Sequence, residues 1–320
     1  MTERLYEHLD AHTTLIDCRL YRPQLAACYL VADGDQLALI DCGTRHSVPQ
    51  ILEAIAAIGA RPEQVRWIIP THVHLDHAGG AGVLMQHCPN ATLVTHPRGV
   101  PHLIDPSKLQ AGASAVYGEA AFARDFGALE PVPKARTLAA TDGERLALGG
   151  RELLFVHTPG HANHHGCILD TTSGYLFTGD TFGLGYRELA QPSPFLVATT
   201  TPVAFDPDAW LSTLEHLLSL DPQAVCLTHY GCYPQPAALA PMLRESIEAH
   251  RRIALEEEPR GEEGRDQRLR EAVGQLLVET AAAHTGLPRE TVHEVLAGDI
   301  TLNAQGLAVW LARRAKRRAS

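Results

Sequence analysis

Thr71-His72-Val73-His74-Leu75-Asp76-His77-Ala78-Gly79-Gly80 sets four metal-ligand side chains, His72, His74, Asp76 and His77, within six positions. The apolar run Val65-Arg-Trp-Ile-Ile69 before it reads as a strand. A helical stretch opens at the Gly-Gly pair and runs to His87. A chain leaving a strand must turn. The alternate residues His72, His74 and Asp76 then point to one side, and His77 swings to the adjacent position. Imidazole is the commonest protein ligand for metals. A single His or Asp in a loop is ordinarily a turn or cap residue. Four converging ligand types instead require charge compensation, so the decapeptide reads as a source of ligands for two metals.

Three more ligand types follow, each at a predicted strand end. His161 stands in Thr158-Pro-Gly-His161, Asp180 in Phe177-Thr-Gly-Asp180, and His229 in Leu227-Thr-His229-Tyr230. Loops on a rigid sheet are where sites are built. The set divides into His72, His74 and His161 for one metal and Asp76, His77 and His229 for the other, with Asp180 bridging. Two divalent ions are implied. Zinc is the first candidate, with iron and manganese as alternatives, because His/Asp shells suit several metals.

Further out, short apolar runs at 26–32, 36–41, 91–95, 145–148, 152–157, 166–170, 175–178 and 224–228 read as strands. Helical spacing marks 48–58, 113–126 and 208–220, and a Pro- and Thr-rich loop spans 182–204. After about residue 235 alternation vanishes and helical spacing takes over, at 236–258, 265–285, 289–297 and 304–316. Two parts are therefore expected: 1–235 with the metal ligands, and a helical region 236–320. That region has three readings: a cap that selects substrate, a homodimer interface, or completion of the fold.

Composition narrows the function. The chain has 320 residues, 45% of them hydrophobic, enough to order a globular core. Its net charge is −10, and phosphate binding needs concentrated Lys and Arg, so a nucleic-acid surface is disfavoured. The acidic excess lies in 1–235, with 14 Lys and Arg against 24 Asp and Glu; the remainder carries 13 of each. The start lacks an apolar signal core, and no run approaches the ~20 apolar residues of a membrane helix, so a cytoplasmic protein without a membrane partner is expected. Seven scattered cysteines without a CxxC pair argue against a disulfide framework. The chain holds 18 histidines, and only five of them enter the ligand set.

The pattern H-x-H-x-D-H at 72–77, followed in order by His161, Asp180 and His229, resembles the metallo-β-lactamase-fold superfamily over about residues 14–232. The resemblance implies an α+β fold, a four-layer αβ/βα sandwich of two mixed sheets with outer helices and metals at one edge. It also implies that Asp41, in Leu39-Ile-Asp41-Cys-Gly43, supports the ligands from behind. Within the superfamily the pattern looks most like glyoxalase II. Asp180 stands where the antibiotic-degrading branch has Cys, and His74 where the flavodiiron branch has Glu. The implied activity is attack of a metal-activated water on a thioester, ester or lactone carbonyl of a small-molecule substrate. Asp76 would orient the water or relay its proton, Tyr230 would serve the oxyanion, and Tyr186, Arg187 and His165 would meet substrate. Two alternatives stand beside it: an iron-dependent sulfur dioxygenase or di-iron oxygen-binding protein, and a non-catalytic sensor that retains metal.

Overall fold

A computed structural model describes residues 5–201 and 204–319. The expected loop 182–204 therefore includes residues 202–203, which lie outside the described residues. The chain divides into two compact units. The first takes in the chain up to His157 with His164–Gly179 and Pro222–Pro234. The second comprises Thr158–Asn163, Asp180–Asp221 and the chain from Gln235 onward. The helical region after residue 235 thus belongs to a unit that also takes segments from the middle of the sequence.

The first unit contains both sheets. The larger runs in chain order: β1 (Tyr6–His8), β2 (Thr13–Asp17), β3 (Ala27–Asp33), β4 (Gln36–Ile40), β5 (Val65–Ile69), β6 (Thr92–Thr95) and β7 (Thr137–Ala139). Pairing is antiparallel from β1 to β4 and parallel from β4 to β7. The smaller runs in reverse order: β13 (Gly231–Pro234), β12 (Ala224–Leu227), β11 (Tyr175–Gly179), β10 (Gly166–Asp170), β9 (Arg151–His157) and β8 (Arg145–Leu148). Here only β11 and β12 are parallel. This is the expected α+β sandwich of two mixed sheets with helices.

Alternation along the strands divides the core. On β3 and β4, Ala27, Tyr29, Val31, Ala38 and Ile40 face the second sheet, where they meet Phe155, Ile168, Phe177 and Cys226. Cys28, Leu30, Leu37 and Leu39 point the other way, into a core closed by α1 (Val48–Ala57) and by α3 (Ala81–His87), which follows the single turn α2 (Leu75–Ala78). Full burial of each such Leu, Ile or Val side chain contributes about 1.5–3 kcal/mol. Two polar groups also cross between the sheets: the Trp67 indole N–H donates to Ala147 O at 2.8 Å, and the Tyr29 hydroxyl to Leu227 O at 2.5 Å.

Several elements depart from expectation. The ligand quartet is not strand-like throughout, because α2 begins at Leu75, inside it, and Gly79–Gly80 separates α2 from α3. After α4 (Val100–Ile104), the expected helix at 113–126 is two, α5 (Ser107–Tyr117) and α6 (Glu119–Asp125), broken by Gly118 at φ 84°. All seven cysteines are free, six of them buried.

The second unit is built from α7 (Pro207–Ser219), α8 (Pro236–Glu257), α9 (Arg265–Thr285) and α10 (Arg289–Ala319). Helix α10 is continuous where two helices are expected, because its buried stripe Leu296, Ile300, Asn303, Leu307 carries on past Gly298 and Gly306. Among the described residues it is the one helix long and apolar enough to cross a membrane by length and composition, although the sequence has no unbroken apolar run. That stripe is buried inside the unit, and Trp310 meets Phe205 edge-on at 5.8 Å.

Candidate metal centre

In the first unit the predicted ligands sit beyond the carboxyl ends of β5 and β12, where an open parallel arrangement leaves room for a ligand. His77 Nε2 lies 3.7 Å from Asp76 Oδ2, and His229 Nε2 lies 3.1 Å from the same oxygen. These three residues offer one ligand atom each, all within 4.8 Å of one another. His72 Nε2 is 2.8 Å from His74 Nδ1. The unit therefore brings five of the seven predicted ligands together.

Asp41 organises this cluster from behind. It follows β4, is fully buried, and has a left-handed backbone (φ 57°) uncommon for a residue with a side chain. Its carboxylate accepts from the Thr71 backbone N–H (2.7 Å), the Thr71 hydroxyl (2.9 Å) and the Thr228 hydroxyl (2.6 Å). His77 Nδ1 stands 2.8 Å from its other oxygen. A proton on Nδ1 is thereby fixed, and Nε2 is left as the ligand atom. His72 Nδ1 lies 3.1 Å from the Thr71 hydroxyl, which passes the same control from Asp41 to His72. His229 Nδ1 donates to the Leu25 carbonyl at 2.9 Å, and its Nε2 is again the atom left for a metal.

The second unit holds the other two ligands side by side, with His161 Nε2 at 3.3 Å from Asp180 Oδ2. His161 Nδ1 donates to the Thr199 carbonyl at 2.9 Å. The turn before it needs glycine: Gly160 has φ 136°, and a Cβ there would lie 2.4 Å from Trp210 Cβ. The segment 198–200 is clamped from α8 and α10. Buried Asn303 accepts from the Thr200 N–H (2.7 Å) and donates to the Ala198 carbonyl (3.1 Å), and the Ser246 hydroxyl accepts from the Ala198 N–H (3.0 Å). Asn303 Nδ2 also reaches His250 Nε2 at 3.3 Å. At Gly306 a Cβ would fall 1.5 Å from the Thr200 carbonyl oxygen, so only glycine admits this approach.

The donor sets suit divalent cations. Each of His77, His229 and His161 has its Nδ1 committed to an acceptor, and carboxylates stand beside the remaining nitrogens. The other predicted residues are placed as follows. His165 is buried and stacks on His72 with ring centroids 4.8 Å apart. Tyr230 is buried in the core between the sheets. The Tyr186 hydroxyl donates to Asp299 on α10 at 3.1 Å, and Arg187 is exposed. Sequence reasoning missed Thr71, Thr228, Leu25, Thr199 and Asn303. The first two had a signal, since a Thr directly precedes His72 and His229. Leu25 and Thr199 act through their carbonyls, which no side-chain pattern reveals.

A family model described as the metallo-beta-lactamase superfamily matches residues 21–229. The metallo-beta-lactamase fold-containing protein ST1585 of Sulfurisphaera tokodaii is 26% identical over 218 residues, 65% of this chain and 74% of that one. A hydroxyacylglutathione hydrolase of Salmonella typhi is 30% identical over 166 residues, covering 52% of this chain and half of its own length. Among solved structures, the metallo-beta-lactamase family protein TTHA1429 of Thermus thermophilus superposes with a TM-score of 0.62 at 20% identity, covering 96% of this chain and 95% of that one.

Proposed function

The chain belongs to the metallo-β-lactamase superfamily, and on that premise we propose that it is a metal-dependent hydrolase of an ester, thioester or lactone. The observation that carries the reading is the repeated tautomer lock. His77, His229 and His161 each commit Nδ1 to an acceptor and present Nε2. In each the presented nitrogen stands beside a carboxylate, the arrangement that a metal ligand needs.

In this reading Asp76, His77 and His229 would hold one divalent ion, and His72, His74 and His161 would hold another, with Asp180 as a further carboxylate ligand. Zinc is the first candidate metal. When bound, such ions supply Lewis acidity, polarising the scissile carbonyl and bringing the pKa of a water toward neutrality. The chain's own residues supply the rest. Asp41 and Thr71 fix the orientation of His72 and His77. Asp76, 26% exposed where His77 is fully buried, is the carboxylate open to the substrate side. It orients the attacking water and accepts its proton. The relative named hydroxyacylglutathione hydrolase supports an acyl group on a thiol as the substrate bond.

The test is metal analysis of the purified protein with a panel of thioesters, esters and lactones, beside Asp76→Ala. Two equivalents of metal and hydrolysis abolished by the substitution are expected. Substrate-dependent oxygen uptake with bound iron, or hydrolysis unchanged in Asp76→Ala, would sink the reading.

A further inference from the structure

Three large apolar side chains stand out as exposed among the described residues: Tyr21 at 59%, Val116 at 58% and Tyr117 at 40%. All three belong to the first unit. Val116 and Tyr117 are neighbours at the end of α5, and Tyr21, far away in sequence, meets Tyr117 across one shared ring. Phe126 contacts both tyrosine rings, Tyr117 at 5.1 Å and Tyr21 at 6.4 Å between centroids. Apolar groups scattered singly over a surface need no explanation, whereas a cluster marks a place where something binds.

The cluster is linked to the candidate metal centre through the loop that carries Tyr21, which ends at the Leu25 carbonyl on His229. The Tyr117 hydroxyl is pushed up to about 12 by desolvation first and by the Asp76 carboxylate second. The Tyr21 hydroxyl is raised too, by desolvation, then by Tyr117, Asp125 and Asp76. Both hydroxyls therefore lie within electrostatic reach of the one carboxylate that the ligand cluster leaves part-open. The loop that carries Tyr21 is tied to the centre directly, because its last carbonyl, Leu25, fixes the ring of His229.

That loop is also held in a costly shape. Arg19, Tyr21 and Gln24 have φ of 51°, 55° and 59°, and none is glycine. The Asp17 carboxylate holds the loop by accepting from the Arg19 N–H (2.9 Å) and the Gln24 N–H (3.0 Å). Left-handed backbone at a bulky residue persists only when its surroundings enforce it, and such strain gathers at functional sites. Here it turns an aromatic ring outward. On the other side, helix α5 has no buried residue, yet it ends in the apolar pair Val116-Tyr117, of which Val116 is 58% exposed.

We propose that Tyr21, Val116 and Tyr117 form the wall that binds the apolar part of the substrate, an extended acyl chain or an aromatic ring, beside Asp76. The proposal rests on the hydrolase reading above for what is cleaved, but not for what is bound. An acyl chain of several methylenes covers this wall and gains affinity with each one.

The test uses the full-length, metal-loaded protein and two matched series. Straight-chain carboxylic acids from acetate to decanoate report binding by calorimetry with no turnover. Any carboxylate–metal contact is common to the whole series, so its slope reports the chain. S-acyl-N-acetylcysteamine thioesters of the same lengths report kcat/KM. Affinity is expected to rise about twofold per methylene, as one-sided rather than complete burial implies. Tyr117→Ser and Tyr21→Ser should each flatten that slope while metal content and melting temperature hold. Affinity independent of chain length in the native protein overturns the proposal, and so does a slope that survives both substitutions. A dimer that covers the wall and dissociates in Tyr117→Ser overturns it as well. A tyrosine-dependent binding slope with no turnover of any thioester upholds the wall and sinks the hydrolase reading instead.

Discussion

Replacing Asn303 by alanine tests whether the C-terminal helices support the metal centre. The side chain is fully buried on α10 and holds the segment 198–200 through the Thr200 N–H at 2.7 Å and the Ala198 carbonyl at 3.1 Å. Truncation leaves both backbone groups buried without that partner. Each such loss costs about 1–3 kcal/mol, so the pair predicts a loss of about 3 kcal/mol. Urea unfolding would show this as a lower midpoint at unchanged slope. The consequence reaches further, since Thr199, between the two anchored residues, supplies the carbonyl that orients His161. Removing a partner behind a ligand usually costs 10–100-fold in metal affinity, and Asn303 acts one step further back. We expect about a tenfold loss in affinity for a metal that His161 would hold, read by chelator competition on protein that remains folded. A variant that loses the stability but keeps the metal affinity would refute the link. One that loses under about 1 kcal/mol would refute the hydrogen-bond count.

Other expectations follow from the same geometry. Asp41→Asn should weaken metal binding about 10–100-fold in the same competition assay, because the neutral amide cannot accept from Thr71, Thr228 and His77 alike. The protein should also lose stability in mild acid. Burial pushes His250 down from 6.5 to about 4, so between those values the unfolded chain binds a proton that the folded one refuses. The stability His250 contributes as a neutral side chain is complete above about pH 6.5 and falls as pH drops toward 4, by about 3 kcal/mol in all. His250→Gln should show a shallower decline in melting temperature from pH 7 to 4.5, and an equal decline would disprove the assignment.

What the sequence disclosed and what it hid have a physical division. The candidate ligands were legible because His72, His74, Asp76 and His77 crowd into one turn, and because the remaining three each follow an apolar strand. Strands β3 to β5 were legible because their runs are short, apolar and bounded by turn residues. The start of α2 inside the quartet was not, since four residues are too few to show a period. Nor was the break at Gly118, where a left-handed φ splits one helical pattern into α5 and α6. The role of the C-terminal region was open for a deeper reason. Its connection to His161 runs through Asn303 and two backbone groups about a hundred residues away, and only folding brings these together.

The three tautomer locks differ in how they withstand mutation. His77 depends on Asp41, a side chain that one nucleotide change can remove. His229 and His161 depend on the carbonyls of Leu25 and Thr199, which every amino acid provides. Positions 25 and 199 are therefore free to drift in identity so long as the path of the main chain is kept. What natural variation must preserve lies instead in the residues that shape those paths: Asp17, which braces the loop before Leu25, and Asn303 and Gly306, which seat the segment around Thr199. Among homologues, substitutions at these remote positions should travel together with changes at the ligands, while the residues that lend the accepting carbonyls vary within what local packing admits.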